Sequence, residues 1–170
     1  MDMNERIKSI IEYVVIIVAV LLFRAYLYSP VRVSGNSMVP TLNNGDIMIL
    51  NKIGYRLNGL DRFDIVVINY DGEKIIKRVI GLPGEYVEYK DDKLYINGTY
   101  IKEDYERKST DDFSLEMLGV EKIPEDKYLV LGDNRPISKD SRIIGLIDKE
   151  DIVGYTNVVV YPLSGIRSAK

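Results

Sequence analysis

Apolar positions divide this chain into two regimes. Over residues 10–28 they are nearly continuous, interrupted by Glu12 near one end and Arg24 near the other. As a helix this run would be roughly 28 Å long, close to the thickness of a bilayer's hydrocarbon core, with both charges near enough to its ends to reach the headgroups. The pattern predicts a membrane-spanning helix over 10–28. A cleaved leader needs small residues at its exit, and Ala25, Tyr26, Leu27 and Tyr28 make a poor site. Arg6 and Lys8 favour an N-terminus on the cytoplasmic side, although Arg24 near the far end of the run and Arg32 beyond it weaken that bias.

After Pro30 the pattern changes to short runs of Val, Ile and Tyr between clusters of Gly, Asn and Asp, which predicts β structure. Strands are expected over 31–34, 46–51, 65–69, 75–81 and 128–132, with one long final strand over 152–161. Residues 86–102 read as hairpins, turning at Asp91-Asp92 and, as a type I′ turn, at Asn97-Gly98. The sequon Asn97-Gly98-Thr99 is explained by that turn rather than by glycosylation. Residues 104–121 are charged and weakly patterned, as expected of a surface loop or short helix. The fold class is therefore mainly β: an N-terminal transmembrane helix, then a β-rich catalytic domain with an inserted β-ribbon subdomain. The expected divisions are a cytoplasmic N-terminus over 1–9, an anchor over 10–28 and an extracytoplasmic domain over 29–170, with 82–127 as the insert.

Composition narrows the chemistry. The 170 residues contain neither histidine nor cysteine, so Ser-His-Asp and Cys-His catalysis, disulfides and the commonest metal ligands are all excluded. A net charge of −3 gives no reason to expect nucleic acid as a partner. No metal and no cofactor is implied. What remains is oxygen chemistry and lysine chemistry.

Three runs could supply it. In SGNSMVPTL, residues 34–42, a Gly-Asn-Ser-Met turn followed by Pro40 can expose the Ser37 hydroxyl on a rigid backbone, although most serines between a Gly and a Pro are ordinary turn residues. In the strand over 75–81, Lys77 shares a face with Ile75 and Val79. Such a lysine either guards a sheet edge and snorkels to water, or is a desolvated amine whose lowered pKa lets it act as a base. The third run, GDNRPISKDSR over 132–142, is dense in Asp, Arg and Ser. It reads either as a solvated turn or as a braced loop in which a serine orients the lysine amine and an Asp-Arg pair stiffens the backbone.

Together these runs resemble the type I bacterial signal peptidases, membrane-bound Ser-Lys proteases. The resemblance covers most of the chain: an anchor, SGNSMVPTL, DRFDIVVI from Asp61, KRVIGLPGE from Lys77, and GDNRPISKDSR, in the family's order and spacing. It implies Ser37 as nucleophile, Lys77 as general base and Ser138 as the serine that hydrogen-bonds the lysine amine. It also implies a supporting Asp133–Arg142 ion pair, with Asp140 beside it as a further structural acid. Gly35 stands where Gram-negative members carry an oxyanion-binding serine, so the chain is more similar to the Gram-positive type, and the Ser37 N–H is the one donor identified. The implied substrates are secretory preproteins cut after small residues of the Ala-x-Ala kind, and the implied setting is the lipid bilayer. Val33, Met38 and Ile76, apolar residues flanking the site, are expected to form shallow pockets, with extended substrate adding as a strand beside 31–34 or 75–77. A LexA-like self-cleaving repressor shares the Ser-Lys logic, but it would carry a DNA-binding helical domain where this chain has its apolar run. An inactive anchored binding module finds no support in the sequence.

Overall fold

The computed structural model describes residues 3–169, with the side chains of 3–4, 23–26 and 164 outside the described set. The expected 1–9 segment therefore falls partly outside it, as does the Arg24 side chain. Helix α1 runs Met3–Tyr26, earlier at both ends than expected, because Tyr28 already belongs to the first strand. Among the described residues no helix is long and apolar enough to cross a membrane. The described side chains of α1 include Glu5, Arg6, Lys8 and Glu12 and stop at Leu22. From Ile10 to Leu22 its large apolar side chains are each 48–68 % exposed.

The rest is mainly antiparallel β. Strands β1 (Tyr28–Arg32), β2 (Ile47–Asn51), β3 (Ile65–Tyr70) and β4 (Glu73–Gly81) come first, with a short helix α2 (Gly54–Asn58) between β2 and β3. A second group follows: β5 (Val87–Lys90), β6 (Lys93–Ile96), β7 (Thr99–Ile101) and β8 (Phe113–Ser114). The chain then closes with β9 (Lys127–Leu131), α3 (Ser141–Ile144), β10 (Ile147–Asp148), β11 (Ile152–Thr156), β12 (Val158–Tyr161) and β13 (Arg167–Ser168). The larger sheet has the order β10-β9-β4-β3-β11-β2-β12-β13, with β1 also paired to β2. The smaller sheet, β7-β6-β5-β8, is built wholly from the chain between β4 and β9.

Turn chemistry sets the registers. Asp71 and Gly72 both have positive φ (51° and 78°), so β3 and β4 join through a two-residue turn that fixes Tyr70 opposite Glu73 and, further down the ladder, Val66 opposite Lys77. Asp91-Asp92 and Asn97-Gly98 also take positive φ and close the β5–β6 and β6–β7 hairpins. The expected single strand over 152–161 is two strands. β11 pairs mainly with β3, whereas β12 pairs with β2 and β13, and the chain breaks at Asn157 to change partners.

Three apolar clusters hold these layers. One packs Val33, Met38 and Leu42 from the loop after β1 against Met48, Leu50, Ile65, Val67 and Ile76. A second joins the smaller sheet to the larger through Val87, Tyr89, Leu94, Phe113 and Leu115 against Ile80, Leu129 and Leu131. The third places Val66, Val79 and Val130 with Ile152 and, partly buried, Ile75. From Ile76 onward β4 is buried on both faces, so every polar residue in that stretch has been taken out of water.

Candidate active site

Burial of β4 forces the question of what Lys77 and Arg78 are doing there. Adjacent residues on a strand point to opposite faces, so two consecutive cations on a doubly buried strand each need a partner. Arg78 finds Asp133: its Nε and one Nη donate to the two carboxylate oxygens at 2.9 and 2.7 Å, and both side chains are 0 % exposed. Lys77, 3 % exposed, lies instead with its Nζ 2.9 Å from Ser37 Oγ. Burial lowers the pKa of this ammonium below the ordinary lysine range, while the negative charges of Asp140 and Asp133 pull it partly back up.

Ser37 is presented by a turn with its own supports. Gly35 has φ +89°, a left-handed conformation that suits glycine, and its N–H donates to Asn44 Oδ1 at 3.1 Å. A serine at position 35 would have to adopt that unfavourable backbone. Leu42 N–H donates back to the Met38 carbonyl at 2.9 Å, and Met38 and Leu42 bury their side chains beneath the turn. Asn134 then clamps the turn from across the site: its N–H donates to the Ser37 carbonyl at 2.9 Å and its side-chain amide to the Asn36 carbonyl at 3.1 Å.

The Gly132–Arg142 loop is an internally bonded structure and not a solvated turn. Asp140 caps α3, accepts from the Gly132 N–H at 3.0 Å and pairs with Arg142 at 2.9 Å. Ser141 Oγ accepts from the Val130 N–H at 3.0 Å, and Arg142 donates to the Arg135 carbonyl at 2.7 Å. The expected Asp133–Arg142 pair is not formed. Arg142 takes the carboxylate two residues away, and Asp133 takes Arg78, which reaches it from the neighbouring strand. Ser138 Oγ is buried and has no hydrogen-bond partner, so the expected bond to the Lys77 amine is absent from this conformation. Its place is nonetheless at the site, because a Cβ built on Gly132 would strike both Ser138 and the carbonyl oxygen of Ser37.

Val33, Met38 and Ile76 share one apolar cluster and are at most 8 % exposed, so they can offer a substrate only their edges. Two participants escaped the sequence reading. Arg78 could have been found from its neighbour, since Lys-Arg on a doubly apolar strand demands two partners. Asn134 lay in plain view inside the third run, but no local pattern says that its amide reaches back across 98 residues.

Chemically, a hydroxyl in contact with a desolvated amine can lose its proton to that amine and become a nucleophile, the chemistry available to a serine hydrolase that has no histidine. The family model described as "Signal peptidase, peptidase S26" matches residues 6–161. Signal peptidase I P of Bacillus subtilis subsp. natto is 41 % identical, over 99 % of this chain and 99 % of that protein. Signal peptidase IB of Staphylococcus aureus is 38 % identical over 96 % of this chain and 94 % of its own length. A crystal structure of signal peptidase I from Enterococcus faecalis V583 superposes with a TM-score of 0.53 at 41 % identity, covering 56 % of this chain and 95 % of that one. The chain belongs to the signal peptidase family, peptidase S26, and is a signal peptidase.

Proposed function

We propose that this protein removes signal peptides from secretory preproteins through a Ser37–Lys77 dyad and an acyl-enzyme. The observation that carries the proposal is the 2.9 Å contact between Lys77 Nζ and Ser37 Oγ, with the amine desolvated enough for its pKa to fall. Neutral Lys77 takes the Ser37 proton as the hydroxyl attacks the scissile carbonyl. The protonated amine then gives that proton to the leaving nitrogen, the bond to the mature chain breaks, and the signal peptide stays esterified to Ser37. Lys77, neutral again, activates water to release it. The Ser37 N–H is the proposed donor to the developing oxyanion. Asp133, Asp140 and Arg142 hold the loop that backs the amine, and Ser138, whose buried hydroxyl has no other partner, is the proposed group that orients it.

Cleavage after small residues, of the Ala-x-Ala kind, is part of the same proposal. Val33, Met38 and Ile76, each at most 8 % exposed, are the proposed floor of shallow subsites that admit only small side chains. No metal and no cofactor enters this chemistry. Helix α1 is proposed to hold the enzyme at the membrane as a single pass, with the N-terminus cytoplasmic and the catalytic domain outside. The support is its apolar surface from Ile10 to Leu22, exposed on all sides and costly to leave in water.

The test is cleavage of a preprotein carrying an Ala-x-Ala site. Ser37→Ala and Lys77→Met are expected to abolish product while leaving the fold intact. Persistent cleavage by a folded Lys77→Met enzyme would sink the dyad.

A further inference from the structure

The segment 103–110, between β7 and β8, joins neither sheet, yet it touches both motif loops. On the nucleophile side, Thr41 Oγ donates to the Glu106 carbonyl at 3.3 Å. On the other side, Lys108 N–H donates to the Asp133 carbonyl at 2.9 Å. The Arg135 guanidinium donates to Glu103 at 2.8 Å, to Tyr105 Oη at 3.0 Å and to Thr110 Oγ, and also to the Gly132 carbonyl at 3.0 Å. The Tyr105 ring lies 3.9 Å from the Arg78 guanidinium, the partner of Asp133.

Glu103 anchors this arrangement. Its carboxylate accepts from Tyr89 at 2.8 Å, Tyr105 at 2.5 Å, Arg107 at 2.7 Å and Arg135 at 2.8 Å. The side chains of Glu103 and Arg135 are 4 % and 0 % exposed. Burial alone would raise the carboxyl's pKa, but the Arg135 charge and the bonds from Tyr105 and Arg135 hold it below the ordinary range. Buried ionic groups rarely add net stability over an apolar packing of the same shape, and their best use is to fix position. Here the positions fixed are those of the two loops that must meet.

We propose that residues 103–110 form a positioning strap, anchored by Glu103, that holds the Ser37 turn and the Gly132–Arg142 loop at the spacing the dyad requires. The inserted ribbon is then the footing of the strap. Glu103 is a positioning residue that acts through Arg135 and Asp133 and never touches substrate. The inference rests on the Ser37–Lys77 reading.

The test uses the full chain in detergent micelles, with kcat and KM for an Ala-x-Ala preprotein measured across pH and divided by the folded fraction from circular dichroism. Glu103→Gln keeps the shape but removes the charge shared by Arg135 and Arg107. A loosened spacing is expected to lower kcat roughly tenfold, with KM changed less than about twofold. The acid limb of the rate profile is also expected to move to higher pH, because water reaching Lys77 raises its pKa. The charged groups acting on Lys77 are Asp133 and Asp140, each still paired with its arginine, and Glu103 is not among them, so loss of its charge does not explain such a shift. Glu103→Asp, which keeps the charge, is expected to recover much of the rate. An unchanged kcat per folded molecule with an unmoved acid limb overturns the strap. If Glu103→Gln does not fold, Tyr105→Phe, which keeps the ring against Arg78 but cuts the hydroxyl's bonds to Glu103 and Arg135, is judged by the same two readouts. Activity in Lys77→Met would remove the dyad itself, whereas a dead Lys77→Met beside a wild-type Glu103→Gln removes only the strap.

Discussion

Gly132→Ala tests how tightly the Ser37 turn and the Gly132–Arg142 loop are packed. Gly132 does not need a left-handed backbone, so alanine meets no conformational penalty there and the effect is purely one of space. The added Cβ would lie 2.5 Å from the Ser37 carbonyl oxygen and 2.7 Å from Ser138 Cβ, with Ser138 Oγ closer still. Real Cβ contacts essentially never fall below 3.0 Å, so the backbone at Ser37 must retreat by about 0.5 Å or more, or the Gly132 strand end must do so. The Ser37 carbonyl is held by Asn134, so the turn cannot yield without carrying its hydroxyl away from Lys77. Misplacement on this scale is expected to lower kcat by up to about 100-fold, equivalent to about 2.7 kcal/mol in the transition state. The overpacking should cost about 1–3 kcal/mol of stability. Steady-state cleavage of a preprotein and urea denaturation measure the two effects separately. A folded Gly132→Ala enzyme with wild-type kcat would refute the packing argument.

Other outcomes follow from the same geometry. Asp133→Ala leaves the Arg78 charge buried and uncompensated and is expected to cost about 3–5 kcal/mol in chemical denaturation. Activity should rise with pH as Lys77 loses its proton, and the midpoint of that rise should lie below the ordinary lysine range; a midpoint at or above it would argue against a desolvated base. Because the folded-state pKa of Lys77 is lowered, the unfolded chain binds the extra proton, and the resulting destabilisation is fully present below the folded pKa and disappears as pH rises through the unfolded value. Lys77→Met should therefore be inactive yet melt at a higher temperature than the wild type at neutral pH, and a lower melting temperature would contradict this. Asn97→Ala, placed at φ +49° in the β6–β7 turn, is expected to cost about 1 kcal/mol in thermal melts without altering kcat.

What the sequence revealed depended on how local the signal was. The Val- and Ile-rich runs and the Asn97-Gly98 turn act over a few residues, and they located β2, β3, β4, β9 and the hairpins. The break at Asn157 was invisible, because the run over 152–161 is uniformly β-forming and the change of partner strand is a tertiary event. Ion-pair partners posed the same difficulty. Asp133 had Arg142 nearby in sequence and Arg78 55 residues away, and only the fold brings the distant one across. Residues 103–107 alternate partly buried and exposed, with Glu103, Tyr105 and Arg107 inward, the period of an extended strand, yet four of the five are charged, so no apolar alternation marks it in the sequence.

The register of the β3–β4 hairpin carries a further consequence. Lys77 and Arg78 are neighbours with opposite duties in the proposed mechanism, one a base that must shed its proton and the other a cation that never does. A slip of a single residue along β3 would exchange their faces, setting a permanently charged guanidinium against Ser37 and leaving Asp133 with an amine. Such a misfolded ladder would keep most of its backbone hydrogen bonds and much of its apolar burial, yet it could not cut a peptide bond. The Asp71-Gly72 turn thus acts as a proofreading element, since the geometry that seats the hairpin also decides which of two adjacent cations meets the serine.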